Sequence, residues 1–382
     1  MSDAPVTGGI DARGNRGYPG LVFLPWLFAL VAFWIIVAVD PYHLRQDGPA
    51  YRFADHLYPD LEWPRLMRLA TAQPHDLVLL GGSTVLPISN DMVQQAFPGT
   101  RSPINLSYLS PRPFDMPWIL PRIEQVTGLE RVILVMDFTL LDTSPRRSYT
   151  GDVLQSMATT NWSHRGDFGL STAVASLHAF ATGTYDLGLW SKRAVPDFML
   201  GGKPLTESAA DMQRFRSAVA RHADDVFAKS RLTCSQIPYL QRELVPFLTD
   251  MANKHVAVDL VFPSLPYVIY YDWIDRKPPF HDTMLPGPVF DQMIVFKKCV
   301  IAARDQVGAD NDRVIALDSN ASVSGDLGLY FDTIHPLSPE TYRTEARMIA
   351  NGNETISAAN IDRHEADLRS KVAQWAAQFE AQ

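Results

Sequence analysis

A chain of 382 residues with 46% apolar side chains has globular composition, enough for one large α/β domain with accessories or for two small domains. Its formal charge of −8 argues against a surface that tracks nucleic-acid phosphates, so no nucleic-acid partner is expected. The sequence has no repeat of solenoid period, no Gly-x-Gly-x-x-Gly or Walker-type loop, and no His-x-x-x-His or cysteine cluster. Nucleotide, cofactor and metal chemistry are therefore unsupported.

Residues 1–20 form a short N-terminal segment, taken as cytoplasmic, ahead of the uncharged run 21–39 (LVFLPWLFALVAFWIIVAV). That run is long enough to span roughly 30 Å of hydrocarbon. A cleaved signal peptide would be shorter and would end in a small-x-small site, which Ala38-Val39-Asp40 matches poorly. A buried core helix is the other alternative, but this run is apolar on every face. Arg13 and Arg16 precede it, and Arg45 and Arg52 follow, so flanking cations orient it weakly. The reading is a single-pass anchor in a bacterial inner membrane, with everything after it extracytoplasmic.

Residues 40–75, punctuated by Pro41, Pro49 and Pro59, read as a connector with a short helix around 63–71. The α/β domain is expected over 76–350. It opens with a strand at 76–80 (DLVLL) that runs into Gly81-Gly82-Ser83, then a helix capped by Ser89 or Asn90. A strand over 103–106, a helix over 114–126 and a branched strand over 131–137 (RVILVMD) follow. From about 140 to 231 the rhythm breaks. That stretch, with helical patches near 172–182 and 206–229, is read as an insertion covering the site.

Regularity returns with a helix over 236–253, a strand over 255–262, a helix over 288–307 and a strand over 313–317. The tail 351–382 ends in an amphipathic surface helix from 361. Strands alternating with helices imply an α/β fold, a three-layer sandwich around a central parallel sheet, preceded by one transmembrane helix.

In such sheets ligands bind beyond the carboxyl ends of the strands, where Ser83 sits. Gly81 and Gly82 permit a sharp turn, which suits a nucleophile whose oxyanion needs backbone donors; a plain strand–helix turn with Ser83 as a cap is the alternative. Near the other end of the chain, Asp332 stands three residues before His335, and Pro336 prevents a helix from running through the histidine. A loop of this kind can fold the carboxylate onto one imidazole nitrogen and leave the other for a serine proton. His164, His281 and Asp282 lie in loops and could line a substrate cleft, though a solvated loop position is the more common role; Arg146-Arg147 read as a solvated loop, and Asp137 at a strand end as a structural carboxylate with contact to substrate as the alternative.

Taken together, Ser83 after the first strand and Asp332-x-x-His335 before a final helix resemble the SGNH/GDSL hydrolase superfamily. The likeness runs over roughly 76–350 and is greatest to membrane-anchored DltD-like and alginate O-acetylation-type bacterial proteins. Asn105-Leu106-Ser107, Val135-Met136-Asp137-Phe138 and 260–263 (LVFP) match further segments of that pattern. The resemblance implies a Ser83–His335–Asp332 triad that performs acyl-ester chemistry without a cofactor. Most directly it implies O-acetyl transfer to a cell-envelope or secreted polysaccharide, with a membrane-bound O-acyltransferase as upstream donor.

A polysaccharide or small-ester deacetylase, and a non-catalytic glycan-binding or assembly protein, remain open. The pattern's usual Asp before the nucleophile is Gly82 here, and its third-block asparagine is missing. The oxyanion and substrate-binding candidates are thus the backbone N–H groups of Ser83 and Ser107, with Gly82 in the turn and Asn105 as a side-chain contributor; Asn105 could equally form a turn with its own backbone. Cys234 and Cys299 could be two buried thiols, but extracytoplasmic placement and two neighbouring predicted helices lead to the expectation of a disulfide.

Overall fold

A computed structural model of the chain describes residues 70–71, 73–108, 111–141, 202–275 and 288–381, together with 27, 28, 30, 31 and the paired two-residue strands Ala50–Tyr51 and Tyr185–Asp186. Of the helix expected around 63–71, Ala70 and Thr71 are described and helical, and the rest, with the patch at 172–182, most of the run 21–39, and His164, Arg146, Arg147, His281 and Asp282, lies outside the described residues. Leu27, Phe28, Leu30 and Val31 are helical and exposed. No helix among the described residues is long and apolar enough to cross a membrane.

The chain folds as α/β around a mixed six-stranded sheet. Its strands are β1 (Leu77–Leu80), β2 (Pro103–Asn105), β3 (Arg131–Val135), β4 (Ala257–Phe262), β5 (Arg313–Ala316) and β6 (Thr355–Ile356), in the order β2-β1-β3-β4-β5-β6. The first five are parallel. The expectation of a wholly parallel sheet is corrected at β6, which pairs antiparallel with β5. Left-handed backbone at Gly352 (φ 66°) and Glu354 (φ 59°) turns the chain back along β5 there.

Eight helices concern the argument: α1 (Asn90–Ala96), α2 (Met116–Ile123), α3 (Ala209–His222), α4 (Val245–Asn253), α5 (Ile269–Asp275), α6 (Val289–Val307), α7 (Pro339–Asn351) and α8 (Ile361–Glu380). Side chains alternate across each strand, so the sheet feeds two separate cores. Val78, Leu80, Val132, Leu134, Val258, Leu260 and Val314 face one, which α2 to α6 and α8 cover. Leu77, Leu79, Ile133, Val135, Val261 and Ile315 face the other, under α1 and α7. Within the segment read as an insertion, α3 lends Phe215, Ala218 and Val219 to the larger core and packs on α5. The helix expected over 236–253 begins as a π-turn at Leu240–Leu244, and α4 follows with Pro246 in its first turn.

Three long-range links fasten this frame. Cys234 and Cys299 form the expected disulfide, which ties α6 to the turn ahead of α4. Asp259, buried in the centre of β4, accepts hydrogen bonds from Arg131 at 2.8 Å and from Arg313 at 2.6 and 2.7 Å. A buried carboxylate is tolerated only when it is paired and saturated in this way. Behind β5, fully buried Lys297 donates to both Asp318 oxygens at 2.7 Å and to His364 Nε2 at 3.0 Å, while Tyr270 donates to Asp318 at 2.9 Å. Burial and the adjacent Lys297 ammonium push His364 down to about 4, so it is neutral and accepts the proton that Lys297 offers. This network holds α8 against the sheet.

Glu345 is a buried acid with no ion pair among the described residues. It lies on α7, is 1% exposed, and burial pushes its carboxyl up to about 8 even with Ser264 beside it. Below its usual value near 4.5 the group is protonated whether folded or not; between 4.5 and 8 only the unfolded chain gives up the proton, so stability falls across that window and levels off above it. Glu345→Gln should therefore gain on the wild type progressively between pH 5 and 8, by up to about 5 kcal/mol. Urea denaturation at several pH values measures this, and parallel curves for the two proteins would contradict it.

Candidate active site

The strand order reverses direction between β1 and β3. From β1 the chain moves outward to β2, then crosses back to β3 and continues the other way. Chains leaving the carboxyl ends of β1 and β3 pass to opposite faces there, the topological switch point at which such sheets usually bind ligands. Gly82-Ser83 leaves β1 at this point, and Asp137 leaves β3.

Ser83 meets residues that lie 252 positions away in sequence: its Oγ is 2.7 Å from Nε2 of His335. His335 Nδ1 is in turn 2.7 Å from Asp332 Oδ2. The other oxygen, Asp332 Oδ1, accepts from the backbone N–H groups of Ile334 and His335 at 2.8 and 2.7 Å. A carboxylate three residues ahead of the histidine thus closes a tight turn and binds the ring with its second oxygen. Main-chain bonds from Phe331 to His335 and from Leu337 to Leu329 zip the flanks of that turn together. Below it, Tyr342 donates to the Pro336 carbonyl at 3.2 Å, and Ser338 caps α7.

Burial alone would raise the Asp332 carboxyl. The hydrogen bond and charge of His335 and the two backbone donors outweigh it and hold the group below its ordinary range. Asp332 is therefore ionised at neutral pH. It keeps 41% of its side chain exposed, against 12% for His335.

The nucleophile turn is shaped by close packing. A Cβ on Gly82 would fall 2.5 Å from Asp137 Oδ2 and 3.1 Å from the Pro111 ring, so no side chain fits where the resemblance expects an aspartate. Asp137 occupies that space instead. It is 1% exposed, accepts from Thr84 Oγ1 at 3.1 Å and from the Thr139 N–H at 3.2 Å, and lies near enough to His335 for their charges to interact. Burial dominates these contacts and raises its carboxyl. Two carboxyl groups near one imidazole thus differ in character. The outer one is held ionised, and the inner one is pushed towards its neutral form.

The expected oxyanion set needs correction. The Ser107 N–H donates to Asn105 Oδ1 at 2.8 Å, and the Asn105 amide donates to the carbonyls of Val85, Leu86 and Ile88 at 3.1, 3.4 and 2.7 Å. Both groups are spent inside the protein because Asn105 is buried, and a buried amide must satisfy itself. Asn105 is therefore a clamp that holds the loop after Ser83 to the end of β2, in keeping with its turn-forming alternative. Gly82 contributes space to the turn. Of the expected donors, the Ser83 N–H keeps its freedom, since no described residue accepts from it.

The sequence did not single out Thr84, Pro111 or Phe331, whose ring stacks on His335. The Asp137–Thr84 contact had a signal in the strand-end carboxylate, whereas Pro111 and Phe331 had none. Among the described residues no group of three or more acidic, histidine or cysteine side chains could hold a metal ion. Comparison with protein-family models, with curated proteins and with solved structures finds no match to this chain.

Asn105→Ala should cost about 2–3 kcal/mol of stability, because it removes the amide that donates to the Val85, Leu86 and Ile88 carbonyls. A chemical-denaturation midpoint unchanged from wild type would contradict the clamp.

Proposed function

We propose that this protein performs serine-dependent acyl-ester chemistry, with Ser83 as nucleophile, His335 as general base and then acid, and Asp332 as its orienting carboxylate. The observation that carries the reading is the unbroken chain of two 2.7 Å contacts from Ser83 Oγ through both nitrogens of His335 to Asp332. An ionised carboxylate on Nδ1 selects the tautomer with its proton on that nitrogen, which leaves Nε2 as an acceptor for the serine proton. As Ser83 Oγ bonds to the ester carbonyl carbon, its proton passes to Nε2, and Asp332 stabilises the imidazolium. When the carbon–oxygen bond to the leaving alcohol breaks, Nε2 returns the proton to that alcohol, leaving an acyl-Ser83. Water or an acceptor hydroxyl then repeats the cycle in reverse.

The oxyanion would gather on the Ser83 N–H, beside a carboxyl that burial disposes to be neutral. Strand order, the position of Ser83 beyond the carboxyl end of β1 and the Asp-x-x-His turn all support the resemblance to SGNH hydrolases. O-acetyl transfer to an envelope or secreted polysaccharide, served by a membrane-bound O-acyltransferase, is the activity that this resemblance favours. A deacetylase would run through the same acyl-enzyme. An inner-membrane, extracytoplasmic setting is supported by the uncharged run 21–39 and by the Cys234–Cys299 disulfide, since such bonds persist in oxidising compartments. One observation favours a non-catalytic glycan-binding role: the Ser107 and Asn105 donors are already engaged.

The purified full-length chain should hydrolyse a chromogenic acetyl ester. Ser83→Ala and His335→Ala should each lower kcat by about 10³-fold or more, and the double variant should lose little further. Adding an oligosaccharide acceptor should divert acetyl from water to glycan if the enzyme is a transferase, and leave acetate release unchanged if it is a deacetylase. Ser83→Ala with undiminished turnover would sink the enzyme reading.

A further inference from the structure

His335 has to present one nitrogen to Ser83 and the other to Asp332 at the same time. The two contacts fix the direction of the ring edges, but an imidazole can still pivot about the line that joins them. A third contact opposes that motion. The Phe331 ring lies nearly parallel to the imidazole, with 5.4 Å between centroids and 10° between planes. Phe331 also donates its backbone N–H to the His335 carbonyl at 3.2 Å, so ring and backbone are held together.

The root of Phe331 is closed in by the backbone at Gly202. A Cβ on Gly202 would lie 2.5 Å from Phe331 Cβ and 2.8 Å from its Cγ. These are the root atoms of the side chain and cannot swing aside as the tip of a flexible chain would. The approach is therefore open to glycine alone unless Phe331 shifts as a whole. It is pinned three residues later, where buried Leu205 donates its N–H to the Tyr330 carbonyl at 2.8 Å. Backbone at 202 thus packs against the root of Phe331, whose ring stacks on His335.

We infer that Phe331, backed by Gly202, is a positioning residue that holds the His335 imidazole in the plane from which it reaches Ser83 and Asp332 together. The inference deepens the proposed acyl chemistry and rests on it for its consequence in rate. A residue that merely filled apolar space would be replaced as well by leucine as by another flat ring. A positioning ring would not.

Two readouts test this on the full chain. The first is the rate at which a fluorophosphonate modifies Ser83: an Oγ–P bond forms, fluoride leaves and the serine proton passes to His335. The second is the downfield proton resonance of the His335 Nδ1–H bonded to Asp332, which needs no turnover. Phe331→Tyr should label within about twofold of wild type, whereas Phe331→Leu, Phe331→Ala and Gly202→Val should be slower by roughly tenfold to a hundredfold, with the downfield resonance broadened or lost. Phe331→Leu keeps the claim testable if the alanine variant does not fold. Leucine labelling as fast as tyrosine, with an unchanged resonance, would overturn the inference. Absence of labelling in the wild type itself would overturn the acyl chemistry instead, and the resonance would still report on the stack.

Discussion

One hydrogen bond of 2.7 Å, between Ser83 Oγ and His335 Nε2, joins the start of the sheet to a loop that follows its last parallel strand, and a second of the same length ties His335 to Asp332 within that loop. Everything proposed for the protein depends on both being satisfied by one imidazole. The geometry is demanding because the ring offers two nitrogens at a fixed angle, and while Asp332 is local, Ser83 arrives from 252 positions away. Each group is therefore held by further contacts. Ser83 follows a turn with no room for a side chain at 82, and Asn105 clamps the loop beyond it. Asp332 is held by two backbone donors, and His335 by a stacked ring.

The topology explains why the meeting takes place where it does. Parallel strands deliver their carboxyl ends to one edge of the sheet, and the winding changes there between β1 and β3. Asp137 packs against Gly82 at that point. Its burial bears on the proposed chemistry, since a second full negative charge beside Ser83 would oppose an oxyanion formed there. The charged networks at Asp259 and Lys297 lie away from the triad residues, and their effect is to fix the frame: the first joins β3, β4 and β5, and the second holds α8 to the end of β5.

Much of this was legible in the sequence because the decisive residues sit on strong local signals. An apolar strand running into Gly-Gly-Ser and an Asp-x-x-His-Pro turn each describe a backbone shape, and together they marked the three residues that the fold brings into contact. Asn105 was ambiguous for a physical reason. A polar side chain after a strand can serve a ligand or its own loop, and only the fold shows that three carbonyls from 85 to 88 converge on its amide. The strand β6 was invisible because two residues carry no periodicity. Helix α5 lacked an amphipathic pattern because five of its seven residues are buried, among them Tyr270, Tyr271 and Trp273. Lys297 reads as a solvated charge on a helix, and nothing local announces that Asp318 and His364 enclose it. Phe331 gave no signal either, since its importance lies in the ring beside it and in a glycine 129 positions earlier.

The most direct test of the central claim is to trap the acyl group. Full-length protein mixed with an activated aryl acetate and quenched in acid within the first turnover should carry one acetyl group on the peptide that contains Ser83, and this adduct should decay when water or an acceptor hydroxyl is given time to react. Rapid turnover of the ester with no acetyl on Ser83 at any time point, or with the acetyl on another residue, would contradict the account.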